Sequence, residues 1–330
     1  SVYNRTMVVN PDLQRERSKA SFDVSKMTSM LDGGRTIWRR QIDAIIERDP
    51  TGIFDNTDNH NLDRTTRHVR ALAKSVRLVE ICRALNMDVD GHIVKHPDFL
   101  YFIYAIADDL PLALHWVMFV PNIYALMDEE QQKELNQKLR DWQMIGCYAQ
   151  TELGHGSNVR ALETTATFLP ESKGGDMGGS FIIHSPTLTS AKFWPGTLGR
   201  TANTAMVIAR LIDGEGVDRG IHNFLVPLRS YVDHTLLPGV TTGDIGPKIG
   251  YNNMDNGYCK FDNVKIPRRN MAMRFAVVDE HGNYSKKASG AASKVAYITM
   301  MQVRAHICNE AGRHLAMACT ICIRYSAVRR

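Results

Sequence analysis

The sequence predicts an α+β multidomain chain: a helical amino-terminal domain, an antiparallel β-barrel-like middle domain, and the first long helix of a carboxy-terminal helical bundle. Three observations carry this. Apolar residues recur at helical spacing through residues 10–145. From 146 to about 270 the chain becomes short β-branched and aromatic runs bounded by Gly, Pro, Asn and Asp. Helical spacing then returns from about Lys294, with no proline before the end. The expected divisions are 1–145, 146–280 and 281–330.

Asn10-Pro11 reads as a helix start, with Asn as N-cap and Pro in the first turn, where its missing N–H costs nothing. Ile37, Ile42, Ile45 and Ile46 form an apolar stripe that Asp49-Pro50 ends. Val69, Leu72, Val76 and Val79 repeat the spacing, and residues 112–126 are apolar nearly all round, as in a buried helix. Asp128-Glu129-Glu130 opens a further helix with acids at its positive end, and Leu135, Leu139 and Trp142 face inward. The predicted strands are 164–168, 180–184, 188–193, 205–212, 223–228 and 258–266. No helix long enough to join parallel strands intervenes, so antiparallel pairing is expected and a doubly wound sheet is disfavoured. In the last segment Met300, Val303, Ile307, Ala311, Leu315, Ala318, Ile321 and Tyr325 step by three or four. One helix cannot bury such a stripe alone, so the chain reads as part of a longer protein.

Composition narrows the function classes. At 44% apolar and 23% charged, the 330 residues are those of a folded chain, not a disordered or collagen-like one. The net charge is +5, too small a surplus to indicate a nucleic-acid binder. It is uneven: residues 281–330 hold eight Lys/Arg against one acid, leaving the other 280 residues at −2. Six scattered cysteines indicate a reducing compartment. The most apolar stretch, 99–127, is broken by Asp108, Asp109, Pro111 and Pro121, so no membrane span is expected.

The run Cys147-Tyr148-Ala149-Gln150-Thr151-Glu152-Leu153-Gly154-His155-Gly156-Ser157-Asn158 stands where helix gives way to strand. Alternate glycines let bare backbone approach a flat or phosphorylated ligand, and Thr151 and Ser157 add hydroxyls. The same loop is equally a structural turn, and His155 a solvated turn residue. Ser157 does not sit in G-x-S-x-G, so hydrolase chemistry is disfavoured. Cys319-Thr320-Ile321-Cys322 has no second pair for zinc, and no metal site is predicted.

The run resembles the flavin-binding signature of the acyl-CoA oxidases, in the acyl-CoA dehydrogenase superfamily. The tetrad Gly154-His155-Gly156-Ser157 sides with the oxidases; the dehydrogenases tend to carry T-E-P-x-A-G-S-D there. Asn10-Pro11-Asp12-Leu13 with Glu16-Arg17 and Ser21-Phe22 is similar to the oxidase amino-terminal segment. Leu162–Thr167, Lys192-Phe193-Trp194-Pro195-Gly196, Asp244-Ile245-Gly246-Pro247-Lys248 and Arg324–Arg330 follow in family order, so the resemblance runs from about residue 10 to 330.

The resemblance implies FAD as cofactor, lined by Tyr148, Ala149, Gln150, Thr151, Gly156 and Ser157, with Thr151 at the ring edge where hydride arrives. Gly196 would let backbone approach the ring, and Phe193 stands where the family often has a first Trp. Arg329 matches an Arg that reaches FAD phosphate or ribose, typically across a subunit interface; its plain alternative is a helix C-terminal charge. Lys294, Val295, Ala296, Tyr297 and Arg304 match the stretch that contacts acyl-CoA, a task suited to Arg because its planar fork pairs with phosphate oxygens.

The implied reaction is the first step of peroxisomal fatty acid β-oxidation: acyl-CoA to trans-2-enoyl-CoA, with oxygen as acceptor and hydrogen peroxide as product, in a peroxisomal homodimer. Such chemistry needs a desolvated carboxylate base. In the family that Glu lies beyond the position of residue 330, so no catalytic residue is assigned. Two alternatives stay open: a non-catalytic flavin/CoA-binding or subunit-interaction fragment, and a dehydrogenase passing electrons to a protein acceptor.

Overall fold

The computed structural model describes residues 10–89, 92–287 and 295–329. The chain divides into two compact units. One gathers Ser1–Asn56, Leu100–Ala107 and Met301–Arg330; the other holds Thr57–Phe99 and Asp108–Met300.

In the first unit, α1 (Pro11–Ser18) starts as expected: Asn10 Oδ1 accepts the amide of Asp12 at 2.8 Å. Helix α2 (Val24–Leu31) is capped by Asp23, which accepts from the Lys26 amide at 3.0 Å. In α3 (Thr36–Glu47) Ile42 and Ile46 are buried, whereas Ile37 is 77% exposed and lies off the inner face. Helix α5 (Phe99–Ile106; α4 is in the second unit) brings Tyr101 edge-on to Trp38, with centroids 4.5 Å apart. The long helix α8 (Val295–Val328) sets the Arg313 guanidinium 4.2 Å from the Tyr104 ring centroid. Ile307, Leu315, Ile321 and Tyr325 of its predicted stripe stay exposed.

In the second unit, α4 (Arg64–Ala84) is capped by Asp63. Its buried face differs from the predicted one. Val69 and Val76 are exposed, while His68, Lys74 and Ser75 lie inside with Ala71, Leu78, Val79 and Cys82. A buried ammonium survives only when paired, and Lys74 donates to Asp108, which also accepts from Asn59 Nδ2 at 3.1 Å and Asn253 Nδ2 at 2.6 Å. The apolar run near residue 112 forms a π-helical turn, His115–Phe119, that passes into α6 (Val120–Leu126). Helix α7 (Glu129–Arg140) opens on a full capping box between Asp128 and Gln131.

The strands are β1 (Gly146–Ala149), β2 (Thr165–Leu169), β3 (Ser180–His184), β4 (Lys192–Phe193), β5 (Thr204–Ile212), β6 (Asp218–Pro227), β7 (Val240–Asp244), β8 (Gly257–Phe261), β9 (Val264–Pro267), β10 (Ala276–Val278) and β11 (Tyr284–Lys286). One six-stranded sheet has the order β1-β5-β2-β3-β9, with β6 on β5; β4-β8-β7 form a second sheet and β10-β11 a hairpin.

The expectation of a strictly antiparallel sheet is corrected. β1 pairs in parallel with β5 at Gly146↔Thr204 to Ala149↔Val207, and β2 pairs in parallel with it at Thr165↔Arg210 to Thr167↔Ile212. A parallel pair needs a long connection, not necessarily a helix; here strands and loops between residues 150 and 203 supply it. The predicted strand 258–266 splits at Asp262-Asn263, where Asn263 turns left-handed (φ +51°), into β8 and β9 of different sheets. Of 188–193 only Lys192–Phe193 is strand.

Ala166, Phe181, Val207, Phe224 and Phe261 are fully buried in the sheet core. Burying each large apolar side chain stabilises by about 1.5–3 kcal/mol. A second cluster joins Phe119, Val120, Ile123 and Leu139 of the helices to Met206 and Leu225 of the sheet, with Tyr148 packed against it. That layer sets β1 on the helices.

Candidate functional site

The strand that opens the signature is held from beneath. His115 Nδ1 accepts the Gly146 amide at 3.0 Å. Burial drives this imidazole down to about 3, so it is neutral and its Nδ1 remains an acceptor at physiological pH. A side chain at 146 would have no room, since a Cβ would lie 2.3 Å from the Phe119 ring. Further along, Ala149 is buried, and the half-buried Tyr148 donates its hydroxyl to Gln150 Oε1 at 3.0 Å. Burial pushes the Tyr148 hydroxyl up to about 12, which keeps it a donor.

Thr151 meets the other half of the site. Its carbonyl accepts the Phe193 amide at 3.0 Å, and its half-buried hydroxyl has no partner among the described residues. Directly beside it, Lys192 Nζ donates to Glu152 Oε1 at 3.0 Å, to the Gln150 carbonyl at 3.2 Å and to the Ile208 carbonyl at 2.6 Å. Burial lowers the Lys192 ammonium to about 8, against the opposing pull of the Glu152 carboxylate. Glu152 also accepts the amides of Glu163 at 2.8 Å and Thr164 at 3.0 Å and the Thr164 hydroxyl at 2.6 Å. Oε1 thus accepts three hydrogen bonds and Oε2 one, and the buried carboxylate is committed to its pairing with Lys192.

Beyond Glu152 the chain folds back. His155 Nε2 lies 2.9 Å from Glu163 Oε1, and the Glu163 carboxylate also accepts the hydroxyls of Thr187 and Thr189. Those hydrogen bonds hold it below the usual carboxylate range. Gly154 is close against Thr189, where a Cβ would sit 2.8 Å from that residue's own; Gly156 faces open space. Gly156 and Ser157 are exposed.

The Trp194-Pro195-Gly196 segment leaves β4 with strained backbone on both sides: Trp194 has φ +88° and Thr197 φ +67°. Trp194 is 55% exposed beside Thr151's partner Phe193, while Pro195, Gly196 and Thr197 are buried. At Gly196 a Cβ would meet Leu114 Cδ1 at 2.5 Å and Met254 Sδ at 2.9 Å, so packing within the fold already demands glycine there. Asn256 Nδ2 holds the Trp194 carbonyl at 2.6 Å, and Asp255 Oδ2 accepts the amides of Arg200 and Thr201, both at 2.8 Å. Asp244 pairs with Arg64 at 2.7 Å and Arg200 at 3.3 Å. Burial alone would raise its carboxyl, but Arg64, the Gly246 amide and Arg200 outweigh it and the net shift is downward.

The structure therefore brings together Tyr148, Ala149, Gln150 and Thr151 with the segment that carries Gly196, and extends the same loop to Gly156 and Ser157. Arg304 and Arg329 belong to the first unit: Arg304 is exposed on α8, and Arg329 follows its last residue, 5.5 Å from the Tyr325 ring centroid. Val295, Ala296 and Tyr297 form the start of α8, and Lys294 lies outside the described residues. Among the described residues no cluster of His, Cys, Asp and Glu could hold a metal ion, and no helix is long and apolar enough to cross a membrane. Three supports escaped the sequence reading: His115, Asp255 and Asn256. Their one signal was polar residues inside or beside apolar runs, which reads as turn chemistry or a helix interruption.

Three family models match the chain: acyl-coenzyme A oxidase N-terminal over residues 23–145, acyl-CoA dehydrogenase middle domain over 147–264, and acyl-CoA oxidase C-alpha1 domain over 297–330. Peroxisomal acyl-coenzyme A oxidase 1 of Homo sapiens is 43% identical over 325 residues, covering 97% of this chain and 46% of the relative. The Rattus norvegicus protein of the same name is 43% identical over 324 residues, covering 98% and 47%. Among solved structures, Arabidopsis thaliana acyl-CoA oxidase 1 superposes with a TM-score of 0.85 at 40% identity, over 96% of this chain and 46% of that one. Caenorhabditis elegans acyl-CoA oxidase-2, bound with FAD, ascaroside-CoA and ATP, gives 0.82 at 37% identity, over 97% and 47%. The chain spans about half the length of the relatives it matches.

Proposed function

The chain belongs to the acyl-coenzyme A oxidase family, and from that premise we propose that it builds the flavin-holding half of an oxidase acting on fatty acyl-CoA. The parent protein would convert acyl-CoA to trans-2-enoyl-CoA, reduce oxygen to hydrogen peroxide, and work as a peroxisomal homodimer. FAD, when bound, would supply the two-electron acceptor. The chain's own residues would hold and orient it: Tyr148 to Thr151 along the ring, Gly156 and Ser157 toward the phosphates, Trp194 as an aromatic wall, and Arg329 toward a phosphate or ribose. Lys294 to Tyr297 and Arg304 would meet acyl-CoA.

The observation that carries this reading is the juncture of two distant segments. The Phe193 amide on the Thr151 carbonyl, with Lys192 on Glu152, aligns the segment after β1, which bears a hydroxyl without a partner among the described residues, with the segment that carries an exposed indole. A flat, polar-edged ring fits such a surface. Glu152 and Glu163 are both consumed by hydrogen bonds, so neither takes the α-proton of a thioester here. Titrating the purified chain with FAD tests the reading: saturable binding with a shifted flavin spectrum is expected. Thr151→Val should weaken it about threefold to tenfold, the worth of one hydrogen bond. Unchanged affinity and spectrum in that variant would remove Thr151 from the site.

A further inference from the structure

We propose that His155 and Glu163 are positioning residues: a clasp that holds the Gly156-Ser157 loop in its ligand-binding shape. The inference rests on the flavin reading above and adds what sets the loop. His155 lies between the two glycines, and its Nε2 is 2.9 Å from Glu163 Oε1. Glu163 comes from beyond the 3-10 turn at Val159–Ala161, and it collects the hydroxyls of Thr187 and Thr189 from a third segment. One carboxylate therefore ties the signature loop to two other stretches of chain. His155 is also fixed through its backbone, by reciprocal amide–carbonyl bonds with Glu152 at 3.1 and 3.3 Å. Gly156 and Ser157 are exposed and follow directly, with open space at the Gly156 Cα, so His155 is the last side-chain anchor before the segment that would meet phosphate.

The groups facing His155 are few. Among the described residues Glu163 is the charged group bonded to its ring, Thr187 and Thr189 are neutral, and Glu152 beneath is already paired with Lys192. The imidazole is therefore held by a carboxylate that two hydroxyls from another segment hold in place in turn.

Two measurements on the full chain test this. Hydrogen exchange of residues 153–158 without ligand should show protection lost in His155→Leu and Glu163→Leu and largely restored in His155→Gln, which keeps an amide donor toward Glu163. FAD affinity should weaken about threefold to fivefold in the two Leu variants, the size of an exposed pair, and stay near wild type in His155→Gln. Loop protection that is unchanged in His155→Leu, or lost equally in His155→Gln, overturns the clasp. Protection that falls while FAD affinity does not overturns its positioning role. FAD failing to bind in any version overturns the flavin reading instead, and with it the positioning role, leaving the exchange data to judge the clasp alone.

Discussion

The Lys192 ammonium lies 3.0 Å from Glu152 Oε1, and neither side chain reaches solvent. Removing one partner strands the other as an uncompensated buried charge, at a cost of about 3–5 kcal/mol. Lys192→Met and Glu152→Gln should each lower the urea midpoint sharply, and the double variant should lose much less than the sum. Additive losses would mean that the two groups do not depend on each other.

Gly146 is fixed by the Phe119 ring, 2.3 Å from where a Cβ would stand. Gly146→Ala should destabilise the second unit by about 1–3 kcal/mol, the range for overpacking a filled core. Adding Phe119→Leu should restore part of that loss in a thermal melt. If the double variant is no better than the additive expectation, the ring is not the obstacle.

His115 predicts an acid sensitivity. In the unfolded chain its imidazole takes up a proton near its ordinary value of 6.5, whereas in the fold burial holds this off to about 3. Between those values the unfolded state binds more protons, so this residue's contribution to stability is full above pH 6.5 and drains away as pH falls. The wild-type chain should lose up to about 1.4 kcal/mol more per pH unit than His115→Gln between pH 6 and 4. Parallel urea midpoints for the two proteins would refute it.

Thr197 is a β-branched residue at φ +67°, fully buried, with an Oγ1 that finds no hydrogen-bond partner among the described residues. Both features cost free energy. Thr197→Gly should raise stability by about 1 kcal/mol, although the added freedom of the unfolded chain offsets part of the gain. A lower melting temperature would show that the methyl contributes more packing than the strain removes.

The helices and most strands were legible because their signals are local. Asn10 before Pro11 and Asp128 three residues ahead of Gln131 are complete within one turn, and Ala205–Ile212 reads as a strand because it is apolar on both faces. What escaped depends on distant partners. Apolar spacing gave Val69 and Val76 to the core of α4, but the buried positions include Lys74, whose carboxylate lies 34 residues away at Asp108. The parallel pairing of β1 and β2 with β5 leaves no mark on any single strand, and the connection lacks the helix that usually advertises it. The candidate site was half legible. Its signature and the Trp194-Pro195-Gly196 segment stand out as motifs. The supports at His115, Asp255 and Asn256 act on backbone amides and carbonyls far along the chain, which composition does not encode.

The parallel register between Gly146–Ala149 and Thr204–Val207 also sets an order of events during synthesis. As the polypeptide leaves the ribosome, Tyr148 and Thr151 emerge first, yet the strand they extend has its sheet neighbour in β5. Thr165–Phe193 must appear and Thr204 must clear the exit tunnel before that strand can take its register. Until then the residues proposed to hold a ligand ring have no scaffold to be placed on.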